Sequence, residues 1–131
     1  MDRYLLNDRV VELIAKRLQD AAPRGVKVEV VLARDALNVD VRARLGFLRG
    51  NLIGGGGVVL DDETTAHEAL VSAIEIASDG ISHVRGQPWP SSRDVDNEPH
   101  LAVDVNEIRI WFGESRWPTL TLEPIPLTGL P

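Results

Sequence analysis

Apolar residues recur at helical spacing over the longest periodic segment of the chain, Asp61 to Arg85. At about 100° per residue, most of its aliphatic and glycine residues fall on one arc, with the charged and serine residues opposite. Asp61 or Asp62 can cap the start of the helix, and Thr65, with Glu68 three residues later, also fits a capping box. Gly80 lies on the apolar arc, which predicts a close approach to the neighbouring element rather than a break in the helix. This segment is predicted to be the structural spine of the fold.

A similar pattern predicts a first helix over residues 3–22, and alternating apolar residues predict strands over 26–33 and 37–45. Arg17 lies within the apolar side of the first helix. Two interpretations of Arg17 stay open. In the first, its aliphatic stem packs on the core while its guanidinium reaches a carboxylate or water. In the second, Arg17 contacts a partner protein.

The two strands are predicted to form a hairpin in which Leu32 lies opposite Leu37, because this register aligns the apolar faces. The same register places like charges opposite one another on a solvated face, which is unfavourable. The diagonal pairs predicted to offset this repulsion are Glu29 with Arg42 and Lys27 with Asp40.

Four consecutive glycines, Gly54 to Gly57, separate two short apolar runs. A phosphate-binding loop would need Gly-Lys-Ser/Thr at the start of a helix, and a dinucleotide site would need G-x-G-x-x-G there. Neither pattern is present. The glycines are therefore predicted to form a flexible hairpin loop.

Beyond the central helix, the sequence Pro88-Trp89-Pro90 predicts a turn in which Trp89 packs at the helix end. Residues 101–105 and 108–112 then alternate and predict a second hairpin, turning at Asn106-Glu107.

The register of this second hairpin follows from the predicted turn. It places Asp104 opposite Arg109, a favourable pair, and Ala102 opposite Trp111. A last strand is predicted over 119–123, with Leu120 and Leu122 inward, and residues 124–131 form a proline-rich extended tail. The prediction is a single domain over residues 1–123.

These elements together predict an α+β fold in the order α-β-β-α-β-β-β. We expect two helices packed on one face of a mainly antiparallel sheet of five or six strands.

Composition narrows the class of protein. The chain has 131 residues, a formal net charge of −6 and no cysteine. The absence of cysteine excludes disulfides and thiolate metal sites. The negative charge disfavours binding to nucleic acid or to an anionic membrane, and is compatible with a basic partner. No apolar run is long enough to span a membrane, and the charged start is unlike a signal peptide. A cytoplasmic protein is the expectation, with an acidic secreted effector as the alternative.

Candidate chemistry is sparse. His67 and His83 fall near opposite edges of the central helix, so they do not share a site. Glu75, Asp79 and His83 form a row at helical spacing, for which a metal site is the alternative to a solvated face. Asp94, Asp96 and Glu98 alternate before His100 but lack the glycine of a calcium loop, so a solvated loop is favoured over a metal site. The sequence therefore predicts no catalytic residue, no metal and no cofactor.

Aromatic residues are the more informative candidates, because exposed Trp marks recognition surfaces. Trp111 is predicted to lie on the outer face of its hairpin, unless a loop or the tail covers it. The predicted partner-binding residues are Trp111, Ala102, Asp104, Arg109, Trp89 and Trp117.

The chain from the central helix onward resembles small uncharacterised proteins of high-GC bacteria and their phages. The shared pattern is an Ala/Ile-rich helix, Pro88-Trp89-Pro90, a hairpin with residues 108–113 (Ile-Arg-Ile-Trp-Phe-Gly), and residues 120–124 (Leu-Thr-Leu-Glu-Pro). Residues 22–26 (Ala-Pro-Arg-Gly-Val), between a helix and a strand, also resemble the start of some phage tail-completion proteins. No function is established for the first group, so the resemblance implies no catalytic residue.

The function expected from these observations is a non-catalytic protein–protein interaction module, such as an assembly component or adaptor. One alternative is an immunity or inhibitor protein against a basic toxin or nuclease, and another is a small metal-dependent enzyme. Open sheet edges also make a homodimer plausible.

Overall fold

The fold is α+β, as the sequence predicts. The computed structural model describes residues 3–44, 51–92 and 95–127. After a 3-10 turn at Arg3–Leu5 come helix α1 (Asp8–Ala21), strands β1 (Val26–Leu32), β2 (Ala36–Arg44) and β3 (Asn51–Val59), helix α2 (Ala66–Arg85), and strands β4 (Pro99–Val103), β5 (Glu107–Gly113), β6 (Pro118–Thr121) and β7 (Ile125–Pro126).

The strands form two antiparallel sheets rather than the one sheet that the sequence pattern predicts. The first sheet has the order β1-β2-β3, and the second has β4-β5-β6 with β7 also on β5. Helix α2 lies between them, because it packs on β2 and β3 and also contacts β4. On the side of α2 towards β4, the Nε2–H of His67 donates a hydrogen bond to the carbonyl of Leu101 (2.8 Å). Helix α2 thus contacts both halves of the core, and α1 links them as well through its contacts with β1 and β7.

The first hairpin has the predicted register. Leu32 pairs with Leu37, and the like charges do lie opposite one another. Their compensation differs from the prediction, because the ion pairs run along each strand rather than diagonally. They are Lys27 with Glu29 (3.2 Å) and Asp40 with Arg42 (3.8 Å). The predicted end of the second strand, Leu45, lies outside the described residues.

The glycine run is a strand and not the predicted flexible loop. Strand β3 pairs with β2 residue by residue from Asn51 to Val59, and Gly54 lies opposite Val41. Helix α2 crosses close above: a Cβ built on Gly54 would lie 2.8 Å from Gly80 Cα, and one on Gly80 would lie 2.8 Å from Val41 Cγ2. Gly54 and Gly80 are therefore needed for the helix-to-sheet contact, which confirms the role predicted for Gly80 and corrects the loop predicted for Gly54 to Gly57.

Helix α2 begins at the cap that Thr65 and Glu68 predict, whereas helix α1 begins later than predicted. Helix α2 starts at Ala66, where the hydroxyl of Thr65 accepts a hydrogen bond from the N–H of Glu68 (3.0 Å). Helix α1 starts at Asp8, because the side chain of Asn7 caps it by accepting from the N–H of Val10 (2.9 Å).

The described part of the predicted tail, residues 124–127, contributes to the core through Ile125, and residues 128–131 lie outside the described ranges. Ile125 is fully buried and pairs with Ile108 of β5. Arg17 of α1 holds this segment by donating from Nε to the carbonyl of Glu123 (3.0 Å) and from Nη2 to that of Pro124 (3.3 Å). The guanidinium of Arg17 thus reaches backbone carbonyls rather than a carboxylate.

No helix in the described ranges is long and apolar enough to cross a membrane.

The close approach of α2 to β3 predicts unequal effects of two adjacent substitutions. We expect Gly54→Ala to lower the free energy of unfolding by about 1–3 kcal/mol, because its methyl group meets the backbone of Gly80, which has no side chain to move aside. Gly56→Ala is the matched control, since its Cβ would lie 3.5 Å from Ile76 Cγ2, an ordinary contact. We expect Gly56→Ala to change stability by no more than about 1 kcal/mol.

Urea unfolding of both variants measures this difference. Equal tolerance of the two substitutions would indicate a flexible loop and contradict the packing described here.

Candidate functional site

The outer face of the second sheet carries Trp111. Along β5 the side chains alternate: Ile108, Ile110 and Phe112 are buried, whereas Arg109 is exposed and Trp111 is half-buried. This alternation follows from the two-residue period of a strand. Trp111 therefore lies on the face opposite the core, as the sequence predicts, although it is not fully exposed.

The partner across the sheet from Trp111 is His100 rather than the predicted Ala102. The β4–β5 register pairs Trp111 with His100 and Arg109 with Ala102, a shift of two residues from the prediction. A shift of two preserves the face of every side chain, which is why the outward position of Trp111 is unaffected. The two rings stack, with centroids 5.4 Å apart and planes 24° from parallel.

The shift originates in the turn, where Asp104 has a different role from the one predicted. Its carboxylate accepts hydrogen bonds from the N–H groups of Asn106 (2.8 Å) and Glu107 (2.9 Å). This is the Asx-turn that Asp forms readily, and it makes the loop two residues longer than a tight turn. Asp104 therefore stabilises the turn instead of pairing across strands with Arg109.

Two cavities flank Trp111 on this face. One measures about 580 Å³ and the other about 300 Å³, and Trp111 and Ser115 line both. The larger is lined by Asp96, Glu98, His100, Trp111, Gly113, Glu114, Ser115 and Arg116. The structure thus brings together the acidic loop before His100 and the outer face of the hairpin, which the sequence analysis treated as separate candidates.

Backbone contacts hold the acidic loop against the sheet. Gly113 donates from its N–H to the carbonyl of Glu98 (2.9 Å), and the hydroxyl of Thr119 donates to the carbonyl of Asp96 (2.7 Å). A Cβ on Gly113, whose φ is +88°, would lie 2.9 Å from that same Asp96 carbonyl. Glycine is required here for both reasons, and the two hydrogen bonds hold the backbone of Asp96 and Glu98 beside the strand that carries Trp111.

The indole Nε1–H of Trp111 is buried and has no hydrogen-bond partner among the described residues. Leaving such a donor unpaired costs roughly 1–3 kcal/mol. The indole of Trp111 is therefore an unpaired hydrogen-bond donor on this face of the second sheet.

The other two Trp residues differ in position. Trp117 is 80% exposed, in the segment between Ser115 and Pro118 that borders both cavities. Trp89 is only 6% exposed and packs edge-on against Phe112, with centroids 5.4 Å apart. Trp89 was predicted to bind a partner, and its burial removes it from the surface. Its predicted packing at the end of the central helix is consistent with the contact between Trp89 and Phe112.

We call the group of exposed and half-buried residues on this face the Trp111 surface. It consists of Trp111, His100, Ala102, Arg109, Arg116 and Trp117 with the carboxylates of Asp96, Glu98 and Glu114.

Metal binding has no geometric support within the described ranges, where no group of three or more His, Asp or Glu residues is arranged to hold an ion. Asp94, one of the loop carboxylates singled out in the sequence, lies outside these ranges. Glu75, Asp79 and His83 are exposed along α2, on the far side of the helix from the second sheet.

Comparison with known proteins adds no relative: no protein-family model, no curated protein and no solved structure matches the chain.

Five members of the surface were not predicted to lie beside Trp111: His100, Asp96, Glu98, Glu114 and Arg116. Reading Asp104 as a turn-forming residue would have found His100, because an Asx-turn at Asp104 pairs His100 with Trp111. The contact between the loop and Gly113 has no comparable signal in the sequence.

The turn hydrogen bonds predict how Asp104 titrates. The N–H of Asn106, then that of Glu107, and to a smaller extent the charge of Arg109, lower the pKa of Asp104 below its ordinary value of 3.8. A lowered pKa means that the ionised carboxylate stabilises the turn above pH 3.8 and that this stabilisation is lost as pH falls through the folded-state pKa.

Carbon-13 NMR of the side-chain carboxyl follows this titration. We expect the pKa of Asp104 to stay below 3.8 in Arg109→Ala, because the backbone donors remain. Return of the pKa to its ordinary value in that variant would show that Arg109, and not the turn, sets it.

Proposed function

We propose that this protein is a non-catalytic protein–protein interaction module, an assembly component or adaptor, which binds its partner through the Trp111 surface. The observation that carries the proposal is the position of Trp111. Its ring is half-buried, stacked on His100 and flanked by a cavity on either side. Trp is among the residue types that most often contribute a large share of the binding energy at a protein interface, above all where it lies in a well-packed pocket.

The chemistry of the rim favours a basic partner. Asp96, Glu98 and Glu114 are exposed around the larger cavity, against the single guanidinium of Arg116. The whole chain carries a net charge of −6, which attracts a positively charged protein at long range. We propose that the partner inserts an Arg or Lys side chain, which stacks on the indole and pairs with these carboxylates.

The unpaired Nε1–H supports the same proposal. A partner carbonyl or carboxylate that reaches this donor, after a small rotation of the ring, recovers the hydrogen bond that the free protein lacks. Binding would then give the indole Nε1–H a hydrogen-bond partner that it lacks among the described residues of the isolated chain.

An inhibitor or immunity protein against a basic toxin or nuclease is the second candidate, because the acidic rim suits that partner equally well. The two candidates share one surface and differ in the identity of the partner: phage or cell structural proteins favour an assembly component, and a toxin favours an immunity protein. A cytoplasmic location belongs to the same proposal, and the absence of cysteine is consistent with it.

Substitution of the central indole tests the proposal. We expect Trp111→Ala to weaken partner binding by roughly 30-fold or more, the effect of losing an interface hot spot. Circular dichroism should be nearly unchanged, because the residue lies outside the core. The measurement is quantitative recovery of the partner from extracts of the source cells, followed by calorimetric titration with the purified partner.

Val105→Ala is the matched control, since Val105 is 90% exposed but lies at the tip of the β4–β5 turn. Glu98→Lys tests the charge argument and should reduce binding, with an effect that shrinks as salt is added. Undiminished binding by Trp111→Ala, or loss of its folded spectrum, would remove the Trp111 surface as the binding site.

A further inference from the structure

In the described part of the chain, the outer edges of β1 and β4 bond to side chains of the helices, whereas the second edge of β3 has no strand beside it. At the outer edge of β1, Gln19 of α1 accepts from the N–H of Val28 (2.7 Å) and donates to the carbonyl of Val26 (2.8 Å). At the outer edge of β4, His67 donates to Leu101 (2.8 Å). Strand β7 adds to β5 beside β6. No described strand pairs with the second edge of β3.

The peptide groups of β3 alternate between this open edge and β2. The N–H of Leu60 donates to the carbonyl of Asp35 (2.8 Å), and partners exchange hydrogen bonds at every second residue of an antiparallel ladder. The N–H and C=O groups of Ile53, Gly57 and Val59 are therefore directed to the open edge. Gly55, with φ of +123°, departs from the alternation. An extended strand with such groups is a template for another strand.

The side chains along this edge are self-complementary. Ile53 and Val59 are 60% and 73% exposed, and both lie on the face of the sheet away from the helices. They are spaced equally on either side of Gly56. An antiparallel pair of two β3 strands centred on Gly56 places each exposed Ile53 opposite the Val59 of the other copy, with only Gly55 and Gly57 between them on that face.

We infer that two copies of this chain pair through the open edge of β3, in the register centred on Gly56, and form one continuous six-stranded sheet. In this register, the N–H and C=O groups of Ile53 that are directed to the open edge bond to those of Val59 in the other copy. Such an exchange is the hydrogen-bonded pair of an antiparallel sheet. The inference concerns the opposite end of the molecule from the Trp111 surface and does not depend on its proposed role.

The helices above the sheet fit the same arrangement. Helix α2 lies over β2 and β3, since Gly80 meets both Val41 and the backbone of β3. With strands about 4.8 Å apart, the two α2 axes would lie about 10 Å apart, within the usual distance for packed helices. A cavity of about 370 Å³ now lies where the second helix would pack, between β3 and the side of α2 that carries Ile76, Asp79 and His83. Ile76 is half-buried there and would become covered.

Sedimentation equilibrium tests the oligomeric state. We expect the wild-type chain to have twice its 14.4 kDa mass. Ile53→Lys should raise the dissociation constant of the dimer at least about tenfold, because a charge then faces Val59. Ile53→Lys combined with Val59→Glu should restore the dimer, since each Lys then faces a Glu of the other copy. Val31→Lys, on the same face but on β1 and 57% exposed, is the control and should stay dimeric.

Cross-linking tests the register independently of those charged variants. The chain has no cysteine, so Gly56→Cys introduces a single thiol at the proposed symmetry axis. Its Cβ has room beside Ile76 (3.5 Å). Opposed residues at a pair without hydrogen bonds approach closely enough for a disulfide. Mild oxidation should yield a covalent dimer from Gly56→Cys and none from Val31→Cys.

A monomeric wild-type chain would overturn the inference, as would a dimer that Ile53→Lys leaves intact. Failure of the Lys/Glu pair to restore the dimer, together with failure of Gly56→Cys to cross-link, would overturn it in this register. None of these results bears on Trp111→Ala, so the two proposals fail separately.

Discussion

The contact between the backbones of Gly54 and Gly80 is the constraint on which the rest of the structure depends. A Cβ on Gly54 would lie 2.8 Å from Gly80 Cα, so the helix and the strand meet with no side chain between them. Because α2 lies this low on β3, its remaining faces are available for other contacts. One of them, through His67, reaches the second sheet at Leu101. Helix α2 therefore contacts β3 through glycine on one side and the second sheet through His67 on another.

The same constraint explains a feature that otherwise looks unfavourable. Consecutive glycines weaken a strand, because they lose more backbone entropy on folding than other residues and have no side chains to pack. Here the pairing of β3 with β2 and the contact with α2 offset that cost. The small residues leave β3 with a bare outer edge, and its only large exposed side chains are Ile53 and Val59 among the described part of the strand. The glycine run thus accounts both for the close packing of α2 on β3 and for the lack of large side chains along the open edge of β3.

At the other end of the molecule, the Trp111 surface is assembled from segments that meet only in the folded chain. The Asx-turn at Asp104 sets the register that stacks Trp111 on His100. Gly113 then permits the acidic loop to lie against the strand through Glu98. The stack on His100 positions the aromatic ring, and hydrogen bonds to backbone groups hold the turn and the acidic loop beside it. Such a rigid platform suits recognition, because little side-chain entropy is lost when a partner binds.

The sequence by itself determined the elements whose period and partners are local. Alternation and helical spacing define α1, α2, the first hairpin with Leu32 opposite Leu37, and the outward face of Trp111, because side-chain direction depends only on the strand period. The tertiary structure decided what depends on distant contacts. Gly54 to Gly57 form a strand only because Val39, Val41 and α2 lie beside them. Ile125 enters the core because Arg17 and β5 hold it there. The second hairpin shifted by two residues because hydrogen bonds to Asp104 outweighed a pairing with Arg109 that the pattern of charges favours.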